Sequence, residues 1–162
     1  MTSLEEQIQQ TKPFSSDAEE TYLHLQRTAT RLLQGFTHLL RQHTPGRRGL
    51  TPSQYNVLRI LRGSHPDALT CGEISGRLVT PGPDVTRLLD RLEEQGWVAR
   101  DRDLGDRRVV RSRITDQGLA MVGDLDSPVN SWLARRLGHL DSAEHRELVR
   151  LLDRARSTFE QT

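Results

Sequence analysis

The stretch over residues 80–118 constrains this chain more than any other, because a short amphipathic helix in it is followed at once by an arginine-rich hairpin. The apolar residues of the helix recur at helical spacing and form one stripe, at Val85, Leu88, Leu89 and Leu92. Gly82 is predicted to cap this helix, Pro83 to take its first position and Gly96 to end it. One face is therefore expected to pack, and the polar face is left to contact a partner.

Two strands are predicted after the helix, at residues 97–101 and 109–114, with a polar loop between them. Six arginines and three aspartates lie between residues 100 and 113, on a chain whose net charge is only +1. A helix sized for the major groove, next to a basic hairpin that reaches phosphates or the minor groove, is typical of a winged helix-turn-helix DNA reader. The alternative is an amphipathic helix and hairpin whose charges are only a solvated surface.

Apolar stripes near both ends of the chain predict long helices that flank this central reader. Capping boxes mark four helix starts, at Ser16 with Glu19, Thr51 with Gln54, Thr70 with Glu73, and Asp141 with Glu144. The predicted fold is mainly α with a small β wing. It divides into a flexible segment at 1–15, a dimerisation helix at 16–43, a winged helix-turn-helix DNA-binding domain at 51–115, and C-terminal dimerisation helices at 116–160. Because the stripes exceed what the reader covers, we expect a two-fold homodimer.

Composition argues against several other classes of protein. The chain shows no long apolar run and no signal peptide, and its single cysteine excludes an internal disulfide, so we expect a cytoplasmic protein without a membrane partner. The six histidines are not spaced as a metal pair, and no nucleophile elbow, phosphate loop or paired-carboxylate motif is present. We therefore expect no metal site, no cofactor and no enzymatic activity. Cys71, in the first turn of a predicted helix, is a candidate redox sensor, but an inert buried side chain is the simpler interpretation.

The central stretch resembles the MarR family (multiple antibiotic resistance regulators) of bacterial transcriptional regulators. The match consists of VTRLLDRLEEQGWV at residues 85–98, RDxxDRRVV at 102–110, and then Ile114, Thr115 and Gly118. Similarity at lower specificity extends from about residue 17 to 159. The chain departs from the family pattern at Ser112, where relatives usually place an apolar residue, and at residues 82–84, where many carry a Ser or Thr.

Residues near the start of the helix are best placed to read base edges, namely Pro83, Asp84, Thr86 and Arg87. Arg91 is placed to reach a base or a phosphate. Asp90 is expected to pair with Arg87 or Arg91 and so to orient that side chain. A two-fold dimer presents two such helices about 34–36 Å apart, which calls for a palindromic operator in double-stranded DNA.

In the wing, the resemblance implies that Asp106 and Arg108 form a bracing pair, which leaves Arg107 and Arg102 to enter the minor groove. Arg108 is counted among the DNA-binding candidates as well. For each single arginine the simpler interpretation is a solvated surface charge. Arg107→Ala is expected to weaken DNA binding broadly.

The resemblance also implies a repressor that a small aromatic or phenolic anion releases from DNA, by binding a cleft between the dimer helices and the DNA-binding lobe. The candidates to line that cleft are His38, Arg41, Tyr55, Arg59 and Trp97, each of which is also explained by ordinary packing or surface exposure. The rival function is a winged-helix module that binds another protein and has no specific DNA binding, because fold does not fix function. Salt discriminates between the two, since DNA binding falls steeply with ionic strength.

Overall fold

A computed structural model describes residues 3–44, 49–103 and 105–159 of the chain. It divides into two compact units, Met1–Val122 and Gly123–Thr162. The elements follow in the order α1 Leu4–Ile8, α2 Asp17–His43, α3 Pro52–Ser64, β1 Leu69–Thr70, α4 Cys71–Gly76, α5 Val85–Glu94, β2 Val98–Arg102, β3 Val110–Ile114, α6 Asp116–Leu137 and α7 Ser142–Arg156, with a 3-10 turn at Ser157–Phe159. The boundary between the units falls within α6. The predicted class, mainly α with a small β wing, is confirmed.

The three strands form one antiparallel sheet in the order β1-β3-β2. In the β2–β3 hairpin, Val98 lies opposite Ile114 and Arg102 lies opposite Val110. The two-residue strand β1 pairs with the other edge of β3, with Leu69 opposite Ser112. The predicted hairpin is thus confirmed, and β1 ties the start of the helix-turn-helix to the wing.

The core of the first unit lies where α3, α4, α5 and the sheet contact one another. The apolar stripe of α5 faces inward, and its partners come from the neighbouring helices and strands. The side chains that are almost completely buried there include Leu58, Leu61, Ile74, Leu89, Leu92 and Val98. Because this stripe is buried, the opposite face of α5 is the one that remains available to a partner.

Helix α5 begins later than the sequence suggests. Asp84, and not Gly82, is its N-cap, with the Asp84 carboxylate accepting a hydrogen bond from the backbone N–H of Arg87 at 3.1 Å. Gly82 lies before it with φ of 98°, and Pro83 precedes the cap instead of opening the helix. The physical reason is that an aspartate side chain supplies the acceptor that glycine lacks. Gly96, with φ of 73°, lies just beyond the end of the helix, as predicted.

Within the segment predicted to be flexible, residues 3–15 include a short helix, α1. Ser3 and Glu6 form a capping box that opens α1, and Leu4 is buried. The helix is held to α2 by a hydrogen bond of 3.1 Å from Arg27 Nε to Gln7 Oε1. The Ser-x-x-Glu signal at residues 3–6 was present in the sequence and was missed. The capping boxes predicted at Thr51, Thr70 and Asp141 are confirmed.

The second unit contains the rest of α6, α7 and the 3-10 turn. Pro128 lies inside α6, which continues through it. Helix α7 buries no residue, and several of its apolar side chains are exposed, at Leu148, Val149 and Leu151. Among the described residues, no helix is both long and apolar enough to cross a membrane.

The buried hydroxyl of Ser112, on the central strand of the sheet, is expected to lower the free energy of unfolding relative to an alanine at the same position. Its side chain is completely buried, and within the described residues its hydroxyl has no hydrogen-bond partner. Ser112→Ala should raise the free energy of unfolding by about 1 kcal/mol, because it removes a desolvated hydroxyl that no contact compensates. Chemical denaturation measures the change.

Thr44 provides the matched control for Ser112, because it is a buried hydroxyl whose hydrogen bonds are made. Its Oγ1 donates to the carbonyl of Leu40 and accepts from the N–H of Leu50 at 3.0 Å. Thr44→Val should lower stability by roughly 1–2 kcal/mol, since it leaves the Leu50 N–H unpaired. A loss of stability in Ser112→Ala would contradict the prediction.

Candidate nucleic-acid interface

The exposed face of α5 carries the side chains predicted to read bases. Thr86 and Arg87 are exposed in its first turn, directly after the Asp84 cap, while Arg91 is half-buried one turn further on. Pro83 lies half-buried just before the cap. The structure therefore brings these five predicted residues together at and along one helix. Asp84 is engaged in capping, so its carboxylate positions the helix start.

The six arginines of the hairpin divide into two groups. Three of them pair with carboxylates: Arg100 with Asp90 and Glu93, Arg111 with Asp103, and Arg113 with Asp101. The other three are exposed and, within the part of the chain that the structure describes, pair with no carboxylate: Arg102, Arg107 and Arg108. A guanidinium that has no carboxylate partner within the chain is available to pair with a phosphate. The second group coincides with the wing residues that the sequence predicts to contact DNA.

The wing is braced by Asp103, and the predicted brace between Asp106 and Arg108 is wrong as a side-chain pair. Asp103 accepts hydrogen bonds from Arg111 Nε at 2.5 Å, from the N–H of Gly105 at 2.8 Å and from the N–H of Asp106 at 3.2 Å. The Arg111 hydrogen bond, followed by the two backbone N–H groups, holds the pKa of Asp103 below its usual value. Asp106 instead accepts from the backbone N–H of Arg108 at 2.9 Å.

Sequence reasoning missed Asp103, although a signal was available. An aspartate two residues before a glycine is a common Asx-turn pattern, in which the carboxylate accepts backbone N–H groups further along the loop. Asp106 makes the same kind of local turn, and this leaves the Arg108 guanidinium outside the brace. Asp90 is a second correction, because it pairs with Arg100 at 2.7 Å and not with Arg87 or Arg91.

Loss of the Asp103 brace should weaken DNA binding without unfolding the protein. Asp103→Asn keeps an acceptor for the turn but removes the charge that holds Arg111, so the loop is less ordered before binding. We expect duplex affinity to fall about three- to tenfold at neutral pH, since ordering the loop then draws on binding energy. Fluorescence anisotropy with a labelled duplex measures the change.

Asp101→Asn is the matched control, because among the described residues Asp101 pairs only with Arg113 and both side chains are well exposed. It should change affinity little, and an equal loss in both variants would contradict a specific role for Asp103.

The contribution of Asp103 to folding stability depends on pH in one direction. The pKa of Asp103 in the folded protein lies below its ordinary value of 3.8. The contribution of the ionised carboxylate is therefore complete above that ordinary value, and it is lost only as the pH falls through the lower pKa of the folded state.

A second feature of the first unit is a cavity of about 420 Å³ between α2, α3 and the turn before α5. Its lining residues are Leu33, Phe36, Thr37, Pro52, Ser53, Tyr55, Asn56, Arg59, Leu78, Val79, Thr80 and Pro83. Tyr55 and Arg59 line it as predicted. His38, Arg41 and Trp97 do not: His38 is exposed, Arg41 lies against Gly49, and Trp97 is buried at the start of the hairpin.

The cavity combines an aromatic wall with one cation. The Phe36 and Tyr55 rings meet edge to face with centroids 5.5 Å apart, and the Arg59 guanidinium lies 6.0 Å from the Tyr55 centroid. Asn56 Oδ1 accepts a hydrogen bond of 2.9 Å from the N–H of Val79, which fixes the turn between α4 and α5. The cavity wall is thus bonded directly to the segment that leads into α5.

Other predicted sites gain no support from their surroundings. Cys71 is a free, half-buried thiol at the first position of the six-residue helix α4, and its redox role stays a prediction. Among the described residues, no three histidine, cysteine or carboxylate side chains are grouped as metal ligands.

Comparison with known proteins places these features in a family. Residues 48–109 match the model of the MarR family. The chain is 40% identical to the MarR transcription factor from Planctomyces limnophilus, whose crystal structure superposes with a TM-score of 0.66 over 87% of this chain and 98% of that one.

Two further relatives span most of the chain. One is the HTH-type transcriptional regulator YkoM of Bacillus subtilis, 28% identical over 88% of this chain and 90% of its own length. The other is BpsR of Bordetella bronchiseptica, a structure with 25% identity and a TM-score of 0.68 that covers 85% of this chain and 98% of its own. The DNA binding of BpsR is regulated by 6-hydroxynicotinic acid.

Proposed function

Because the chain belongs to the MarR family of transcription regulators, we propose that it acts as a repressor that binds a palindromic operator as a homodimer and is released by a small aromatic anion. The observation that carries the DNA-binding part is the division of the arginines. The guanidiniums of Arg102, Arg107 and Arg108 have no carboxylate partner within the described residues, and they lie in the wing that follows the recognition helix. Unpaired guanidiniums at such a position suit phosphate and minor-groove contacts.

The homodimer is supported by apolar side chains that the single chain leaves in solvent. Leu148, Val149 and Leu151 of α7, and Tyr22 and Leu33 of α2, are each 40% or more exposed. An amphipathic helix that buries nothing within its own chain is explained by burial against a second copy. Light scattering should give a dimer at micromolar concentration, and a stable monomer would reject this part of the proposal.

The effector is proposed to bind the cavity beside Tyr55. A planar aromatic ring fits the Phe36–Tyr55 wall, and a carboxylate or phenolate group fits the Arg59 guanidinium. Asn56 joins the cavity wall to the turn before α5. A ligand that favours one position of this turn therefore shifts the population of DNA-binding conformations.

Selection of bound sequences from random duplex DNA tests the operator. We expect an inverted repeat whose half-sites lie one helical turn apart, with affinity that falls steeply as salt rises. Recovery of no inverted repeat at low ionic strength would overturn the proposal, and binding to a protein partner that survives high salt would favour a protein-interaction module.

The effector site is tested with 6-hydroxynicotinate, the ligand that regulates BpsR, and with benzoate as a simpler probe. Either compound should release the selected duplex, and Arg59→Gln should raise the concentration needed by about tenfold, since it removes a charge-assisted contact. Release that is equal in the wild type and in Arg59→Gln would exclude this cavity as the site.

A further inference from the structure

Helix α5 and its cap carry more negative than positive charge, although the helix is expected to approach DNA. Carboxylates occur at Asp84, Asp90, Glu93 and Glu94, against guanidiniums at Arg87 and Arg91 alone. Asp84 is used as the helix cap. The others lie in the last two turns, where uncompensated negative charge would repel a duplex that is itself a dense line of phosphates.

Arg100 of β2 reaches across to two of these carboxylates. Its Nη1 lies 2.7 Å from Asp90 Oδ1, its Nη2 lies 2.5 Å from Glu93 Oε2, and its Nε donates to the same Glu93 oxygen at 2.8 Å. The Arg100 side chain is only 23% exposed. The Glu93 hydrogen bonds, and then Asp90, hold the pKa of Arg100 above its usual value. One planar guanidinium thus holds two acids of the recognition helix.

We infer that Arg100 is a positioning residue of the DNA interface and makes no contact with DNA itself. It holds Asp90 and Glu93 against β2 and offsets half of their combined charge, which lets α5 enter the groove at a fixed orientation to the wing. The inference rests on the proposed DNA-binding function. The inference gives Arg100 a different role from Arg107, whose guanidinium pairs with no carboxylate among the described residues.

A charge-rescue experiment tests this role in the full-length protein, with a duplex of random sequence and a duplex recovered by selection. Arg100→Ala should weaken binding to both about tenfold, because two carboxylates then face the phosphates unpaired. The slope of log affinity against log salt should stay the same, since no phosphate contact is lost. The triple variant Arg100→Ala/Asp90→Asn/Glu93→Gln should return to within about threefold of the double variant Asp90→Asn/Glu93→Gln.

Arg113→Ala is the matched control, because Arg113 pairs with Asp101 within the same hairpin and contacts no acid of α5 in the described structure. It should leave affinity nearly unchanged. A salt slope reduced by about one in Arg100→Ala, with no rescue by the amides, would make Arg100 a phosphate contact and overturn the inference. A lower unfolding temperature with unchanged affinity would also overturn it, by reducing Arg100 to a structural role. Absence of any duplex binding by the wild-type protein would overturn the proposed function together with this inference.

Discussion

Replacement of Gly118 by alanine is expected to destabilise the first unit by about 3 kcal/mol, because overpacking against rigid backbone is poorly relieved. A Cβ at this position would lie 2.2 Å from the carbonyl oxygen of Trp97 and 2.8 Å from Ile114 Cγ1. The Trp97 oxygen cannot move away freely, since it accepts a hydrogen bond of 3.1 Å from the N–H of Thr115. The free energy of unfolding from guanidinium titration measures the effect.

Gly63→Ala is the matched control for this substitution. Gly63 lies in α3, and apart from its chain neighbours and the backbone of its own helix no described atom lies within 4 Å of the position that its Cβ would take. There the helix propensity of alanine should stabilise the protein by up to about 1 kcal/mol. If Gly118→Ala proved as stable as Gly63→Ala, the close approach of α6 to the Trp97 backbone would be wrong.

Arg87→Ala is expected to cost the DNA complex about 1–3 kcal/mol and to relax the base preference of one position in each half-site. Arg87 is exposed in the first turn of α5, where a side chain reaches base edges. Arg107→Ala should instead weaken binding to all duplexes alike and flatten the salt dependence, as loss of a phosphate or minor-groove contact does. Competition binding across a panel of single-base operator variants distinguishes the relaxed base preference expected of Arg87→Ala from the uniform loss of affinity expected of Arg107→Ala.

Arg146 supplies a comparison for both variants, since it is an arginine on α7, in the second unit. Arg146→Ala should leave affinity, base preference and salt slope as in the wild type. An unchanged affinity and slope in Arg87→Ala and Arg107→Ala would remove both residues from the interface.

Local patterns in the sequence were sufficient to predict the elements of the DNA reader. The stripe of α5, the caps at Thr51 and Thr70 and the strands on either side of the wing depend on short-range rules, and the structure agrees with them. The start of α5 was misjudged because Gly82 and Asp84 both suit a cap, and only the structure shows that the Asp84 carboxylate accepts the N–H of Arg87.

Side-chain partners were predicted less well, because they depend on which elements approach one another. Asp90 has Arg87 at helical spacing and Arg91 next to it on its own helix, yet the guanidinium that reaches it comes from β2. The cavity shows the same limit: the sequence marks aromatic and cationic residues, but it does not show which side of the 27-residue helix α2 faces α3. Tyr55 and Arg59 therefore line the cavity, whereas His38 and Arg41 do not, and the ligand cleft itself stays a prediction.

Thr70 performs two tasks, and this joins the wing to the helix-turn-helix mechanically. It pairs with Arg111 as part of the sheet and also caps α4 through the N–H of Glu73. Separation of β1 from β3 would therefore release the first turn of α4 at the same time. The amide protons of β3 and of the start of α4 should exchange with solvent in one cooperative opening, so that the wing and the helix-turn-helix loosen together or not at all.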